Sequence, residues 1–259
     1  MDFTYTFAGF AVGAIVGLTG VGGGSLMTPL LVLLFGIHPS VAVGTDLLYA
    51  ALTKAGGTVA HGLKGTVDWA VTRRLALGSI PAAALTLLVI GMVFPGGIAG
   101  AAKVISFALG IALLLTACAI IFRKQIQAYA LARFGDVENP RRTAMLTVLT
   151  GAILGVLVSI SSVGAGALGV TALFFLYPRM PAIRIVGSDI AHAVPLTFVA
   201  GIGHWMLGSV DWSLLGSLLL GSLPGIWLGS HLSVKVPDRV LRPILAGMLV
   251  LVGSKLIAQ

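Results

Sequence analysis

Apolar residues run through this chain in long blocks, separated by short polar clusters. Unbroken apolar segments cover about 41–62, 69–93, 98–122, 182–205, 212–235 and 239–257. Each has roughly the 20 residues that a helix needs to cross the hydrocarbon of a bilayer. Two further apolar stretches are interrupted by glycine. Residues 7–19 and 26–36 flank Gly20-Val21-Gly22-Gly23-Gly24-Ser25, and residues 144–160 and 167–177 flank Ser161-Ser162-Val163-Gly164-Ala165-Gly166. Residues 123–142, with Asp136, Glu138, Pro140 and four arginines, form the one long polar linker. The pattern predicts an all-α, polytopic membrane protein.

The pattern also occurs twice. Residues 43–69, VGTDLLYAALTKAGGTVAHGLKGTVDW, align with residues 186–212, VGSDIAHAVPLTFVAGIGHWMLGSVDW, at a constant offset of 143. Asp46 pairs with Asp189, His61 with His204, Gly65 with Gly208, and Asp68-Trp69 with Asp211-Trp212. Gly78-Ser79-Ile80-Pro81 pairs with Gly221-Ser222-Leu223-Pro224. Val21-Gly22-Gly23-Gly24 pairs with Val163-Gly164-Ala165-Gly166 at an offset of 142. So many identities at one offset mark an internal duplication. The expected organisation is an N-terminal transmembrane repeat over 1–122, a cytoplasmic linker over 123–142 and a C-terminal transmembrane repeat over 143–259.

Composition narrows the class. The chain has 259 residues, 58% hydrophobic and only 9% charged, where a soluble domain carries about 25% charged residues. A soluble core of this size has no place for that much apolar surface, whereas lipid does. The net charge of +8 does not indicate nucleic acid, because the basic residues sit between apolar runs rather than in a stripe with aromatics. Cys118 is the only cysteine, which excludes a disulfide framework, and its apolar run predicts a packing role. Met1-Asp2-Phe3 has no positive n-region, so no cleavable signal peptide is expected.

Charge also bears on topology. If each glycine-broken stretch crosses the membrane, the two copies are parallel; if it returns on itself, each copy has three spans and the copies are inverted. With the linker inside, inversion places Arg123, Lys124, Arg133, Arg141, Arg142, Lys64, Arg73, Arg74, Arg179, Arg184, Lys235, Arg239 and Arg242 inside. That is 13 basic residues against Lys255 alone outside. The parallel arrangement gives 9 inside and 5 outside. Cytoplasmic loops carry the excess of basic residues, so two inverted repeats are expected, each a Gly-broken or re-entrant helix pair plus three transmembrane helices, with both termini outside.

A glycine-rich break at membrane depth exposes backbone amides that must be buried in protein or line a wet cavity. Close packing through small residues is one use. The other is a ligand site: amides at Gly22, Gly23, Gly24 and Ser25, and at Ser162, Gly164, Ala165 and Gly166, would start half-helices whose positive dipole ends suit a small anion at the midplane. The glycine run is not a phosphate loop, since no lysine follows it and no strand precedes it. Ionisable groups inside spans are functional candidates by default. Lys54 and His61 lie seven apart on one helical face, with Thr197 and His204 at the matching positions. Lys54 would add positive charge near the pocket; a lysine that snorkels or pairs with an aspartate is the alternative. Asp46 and Asp189 are read either as caps on nearby backbone or as coupling residues that carry a proton or cation. Asp68 and Asp211 are expected helix N-caps beside interfacial tryptophans, and His38 and His231 are expected to be exposed near span ends. No zinc-binding helix and no nucleophile elbow is present, so no catalytic residue, no metal site and no cofactor is expected.

These motifs resemble a known family. GLTGVGGGSLMTPLL, AVGTDLLYAALTKAGGTVAHGLKGTVDW and LGSIP, with VGSDIAHAVPLTFVAGIGHWMLGSVDW and LGSLP in the second copy, are similar to the TauE/SafE sulfite exporter family of membrane permeases, over about residues 6–257. The resemblance implies export of a small sulfur-containing anion, sulfite or an organosulfonate such as sulfoacetate, across the bacterial inner membrane. The second copy has Ala165 and Thr197 where the first has Gly23 and Lys54, so a single site would be asymmetric. Expected partners are the sulfur anion and membrane lipid, without nucleic acid; a homodimer stays open. The competing classes are a membrane-embedded enzyme and an assembly factor without transport.

Overall fold

A computed structural model describes residues 3–19, 24–94, 100–134, 139–232 and 238–258. Among them the helices are α1 (Phe3–Thr19), α2 (Gly24–Leu33), α3 (Pro39–Leu63), α4 (Trp69–Val93), α5 (Ala102–Phe134), α6 (Pro140–Ser161), α7 (Ala167–Leu176), α8 (Ala182–Met206), α9 (Trp212–Leu232) and α10 (Asp238–Ile257). The apolar runs thus become helices close to the expected bounds. Among the described residues, α4, α5, α6, α8 and α9 contain stretches long and apolar enough to cross a membrane. The expected linker is helical for most of its length, because α5 runs on to Phe134 and α6 begins at Pro140. The apolar pattern stops near residue 122, but the first glycine or proline after it is Gly135, just past Phe134.

Local chemistry sets the turns, and it sets them twice. Asp68 caps α4 by accepting from the amides of Ala70 and Val71 at 3.1 and 3.2 Å. Asp211 accepts from the Leu214 amide at the start of α9 at 2.9 Å. Both carboxylates satisfy amides that the first helical turn leaves without partners. After α3 and α8 the chain reverses at Gly65 (φ 64°) and Gly208 (φ 73°). This left-handed conformation lets the amides of Thr66 and Ser209 reach back to the carbonyls of His61 and His204, at 3.0 and 2.9 Å. Trp69 and Trp212 follow, both more than half exposed.

Small residues let backbones touch. Gly9 and Gly13 of α1 pack on Leu218 and Ser222 of α9; Gly151 and Gly155 of α6 pack on Leu75 and Ser79 of α4. A Cβ on any of these glycines would meet main-chain atoms of the facing helix. Such close approach is how helices gain dispersion energy where lipid removes the hydrophobic drive. The two contacts are the same contact in the two copies. Numbers rise together in both, so α1 runs parallel to α9 and α4 to α6. The central pair α3 and α8 is antiparallel: Gly44 backs onto His204 and Ser209, Leu48 onto Gly201, and Gly187 onto His61 and Thr66.

Each glycine-broken stretch folds back on itself. Tyr5 near the start of α1 meets Phe35 beyond the end of α2 edge-on, with ring centroids 5.2 Å apart. In the other copy the hydroxyls of Thr147 on α6 and Tyr177 beyond α7 lie 2.7 Å apart. These pairs occupy equivalent positions.

Among the described residues three apolar clusters fill the interior, the largest joining α1, α2, α3, α5, α9 and α10 with Val163 of the second break. Large apolar side chains such as Leu77, Leu88, Met92, Leu223 and Trp227 stay exposed on the outside, as in a protein whose surroundings are hydrocarbon. Cys118 departs from expectation: it is exposed and lines an apolar groove of about 580 Å³ between α5, α6 and α7. An apolar run identifies a helix but not which of its faces points inward.

Candidate functional site

The two halves interlock around α3 and α8, and the polar groups buried there define the site. Asp46 is fully buried in the second turn of α3, and Asp189 holds the equivalent place on α8. Neither caps its own helix. The Thr28 hydroxyl of α2 donates to Asp46 Oδ2, the Thr28 main-chain amide faces the same carboxylate, and Ser162 of the second break sits beside it. Asp46 therefore ties α2 to α3 of its own copy, beside the second break. Asp189 faces Gly169 of α7, where a Cβ would collide with its Oδ1. Asp46 Oδ1 and Asp189 Oδ1 are buried without a hydrogen-bond partner among the described residues.

Lys54 crosses from one copy to the other. Its Nζ donates to the Ala165 carbonyl oxygen at 2.5 Å, and its ammonium lies within electrostatic reach of both Asp46 and Asp189. The second break has the backbone that this approach requires. Ser162 ends α6 with φ 57°, and Gly164 and Gly166 have φ 120° and 144°, values that strongly favour glycine. Gly166 is the N-cap of α7 and makes no side-chain cap hydrogen bond, so among the described residues the positive end of that helix, beside Ala165 and Lys54, has only the Asp189 carboxyl at Gly169 as a neighbouring acid.

Other expected site residues are placed differently. Thr197, at the position matching Lys54, is buried and spends its hydroxyl on the Ala193 and Val194 carbonyls of its own helix. His204 donates from Nε2 to the Ser159 carbonyl at 2.9 Å, bracing the last turn of α6 before the break. His61 lies two turns beyond Lys54, its Nδ1 2.8 Å from the Thr66 hydroxyl in the α3–α4 turn. Antiparallel packing of α3 against α8 sends these two equivalent histidines to opposite ends of the bundle. Gly24 and Ser25 open α2; Gly22 and Gly23 lie outside the described residues. His38 is exposed, its Nδ1 2.8 Å from Ser40 Oγ, while the His231 side chain lies outside the described ones.

The sequence reading missed His192. It lies one turn beyond Asp189, fully buried, with Nε2 2.8 Å from Ser79 Oγ of α4 and Nδ1 without a partner among the described residues. Its counterpart in the first copy is Tyr49, equally buried, beside Ser222. The signal was available, since an ionisable residue in the middle of an apolar span is a candidate on its own.

Comparison with known proteins identifies the family. The family model described as "Sulfite exporter TauE/SafE" matches residues 5–256. The chain is 41% identical to a probable membrane transporter protein, YjnA of Bacillus subtilis, over 99% of this chain and 100% of the relative. It is 27% identical to a probable membrane transporter protein of Xylella fastidiosa, over 88% and 83% of the two chains. It is also 27% identical to the probable membrane transporter protein YdhB of B. subtilis, over 93% and 97%. No solved structure matches. With a match over almost its full length, this multi-pass helical protein belongs to the TauE/SafE family of membrane transporters.

Proposed function

We propose that the protein exports a small sulfur oxyanion or organosulfonate, such as sulfite or sulfoacetate, across the bacterial inner membrane. The anion binds near the midplane, between the two glycine-broken hairpins. The observation that carries this reading is the meeting of Lys54 with the start of α7 at Ala165 and Gly166, where no side chain caps the helix by a hydrogen bond. A cation and the positive end of a half-helix then face one spot, and backbone amides there bind an oxyanion without the entropy cost of ordering side chains. The first hairpin contributes the equivalent start of α2. Val163 of the second break shares an apolar cluster with Leu26 and Met27 of α2, which supports convergence of the two breaks.

The proposed topology is two inverted repeats of three spans and one re-entrant hairpin each. Equivalent helices α3 and α8 are antiparallel, and a two-fold that relates antiparallel spans lies in the membrane plane. Asp68 pairs with Arg184 at 3.3 Å, and Arg74 reaches the Tyr177 hydroxyl at 3.4 Å. Both contacts support a shared basic, cytoplasmic end. Inside-negative potential then favours anion exit by about 2.3 kcal/mol per charge per 100 mV.

Flux from proteoliposomes loaded with sulfite tests the proposal. The purified protein is expected to release sulfite, and Gly166→Val is expected to abolish release. A membrane enzyme or an assembly factor would move no solute, and a wild-type protein that releases none overturns the reading.

A further inference from the structure

Asp46 and Asp189 occupy the same position in the two copies, yet their surroundings differ in one decisive way. Asp46 accepts from the Thr28 hydroxyl. In the other copy α7 brings Gly169 against Asp189, and the Oδ1 of that carboxyl has no hydrogen-bond partner among the described residues. Asp189 is 1% exposed. A buried carboxylate with an oxygen left unpaired is costly unless a cation or a proton neutralises it.

The surrounding elements offer little choice of cation. From α3 comes Lys54, with His61 further along at Gly187. From α4 comes Ser79, already paired with His192, which shares α8 with Asp189. α7 presents Gly169, and α6 approaches α8 through the Ser159 carbonyl. Lys54 is thus the cation in reach, and in this structure it donates to the Ala165 carbonyl, beside the proposed anion site.

We propose that Asp189 is a proton-binding site linked to anion binding, with Lys54 as the group shared between them. When Asp189 is ionised, Lys54 is drawn toward it and away from the Ala165 carbonyl. When Asp189 takes a proton from solvent, Lys54 stays on the Ala165 carbonyl, where its charge serves the anion. Proton and anion then bind together, and each strengthens the other to the same degree. On release the proton returns to solvent with the anion, so the membrane potential acts on one negative charge fewer than the anion carries. Asp46, held by Thr28, anchors α2 and takes no part. This inference rests on the anion-transport reading above.

Methanesulfonate is the suitable probe, because it stays a monoanion over the whole working pH range. Calorimetric titration of the full chain, in two buffers of different ionisation heat, counts protons taken up per anion bound. One proton is expected for the wild type, with affinity falling roughly tenfold per pH unit once Asp189 is ionised. Asp189→Asn should bind with no proton uptake and no such pH dependence, and Asp189→Glu should restore both. Binding without proton uptake in the wild type, or unchanged uptake in a folded Asp189→Asn protein, overturns the linkage and leaves the transport reading standing. Failure of the wild type both to bind methanesulfonate and to release sulfite overturns the two together. Should Asp189→Asn not fold, the carboxyl infrared band of the wild type decides: a protonated carboxyl must grow as methanesulfonate is added, and an unchanged band refutes the proposal.

Discussion

Lys54 donates from Nζ to the Ala165 carbonyl at 2.5 Å, so a helix of the first copy is tied to the broken hairpin of the second. The counterpart residue, Thr197, makes no such crossing, because its hydroxyl bonds its own helix. A single asymmetric site follows from one duplicated frame. Lys54→Met is expected to weaken sulfite binding roughly 10- to 100-fold, the scale of losing one charged hydrogen bond, while the protein still folds. Thr197→Val should change affinity less than threefold. Isothermal titration with melting curves checks both, and unchanged affinity with a lowered melting temperature in Lys54→Met would mark Lys54 as purely structural.

The second break depends on glycine. Gly164 and Gly166 have φ 120° and 144°, and a β-branched residue there is strained by about 1–3 kcal/mol. Gly164→Val is expected to reduce anion flux at least tenfold by moving the start of α7. Gly247→Ala, on α10 with open space around its Cα, should leave flux unchanged. Equal flux in all three proteins would remove the break from the transport path.

Glycine packing between helices can be tested apart from function. A Cβ on Gly78 would strike the Val148 carbonyl and the Ala152 amide of α6. Gly78→Val should therefore destabilise the protein by about 2 kcal/mol or more, the range of overpacked cores. Gly216→Ala has open space on α9 and is expected to be neutral or to stabilise by about 0.4–1 kcal/mol. Denaturant unfolding in detergent distinguishes the two.

Topology has its own test. In a Cys118→Ser background, single cysteines at Lys64 and Arg179 should be protected from an impermeant maleimide in intact cells, and cysteines at Ile37 and Gly208 should be labelled. Labelling at opposite faces within either pair of positions would exclude the inverted arrangement.

Much of this was written in the linear pattern. The apolar runs, the capping Asp68 and Asp211 and the turn glycines Gly65 and Gly208 act through neighbours within a few residues, so spacing alone exposes them. The duplication was equally open, because equivalent residues keep a constant offset. Lys54 was found as an intramembrane charge, and its partner was named as part of the break, although nothing in either segment says that the two meet. His192 was legible as an ionisable group in an apolar span, but its partner Ser79, 113 residues away, was not.

By itself, then, the sequence determined a duplicated, helical, membrane-embedded chain with two glycine breaks and a few buried charges, because hydropathy, helix period and capping are local properties. Only the tertiary structure decided what those charges touch. It set Asp46 on Thr28 and left Asp189 beside Gly169. It brought Lys54 to Ala165 and sent His61 and His204 to opposite ends. It turned Cys118 outward. The physical reason is that antiparallel packing of α3 against α8 juxtaposes residues about 110 to 170 positions apart, and no local rule of chain geometry reaches that far.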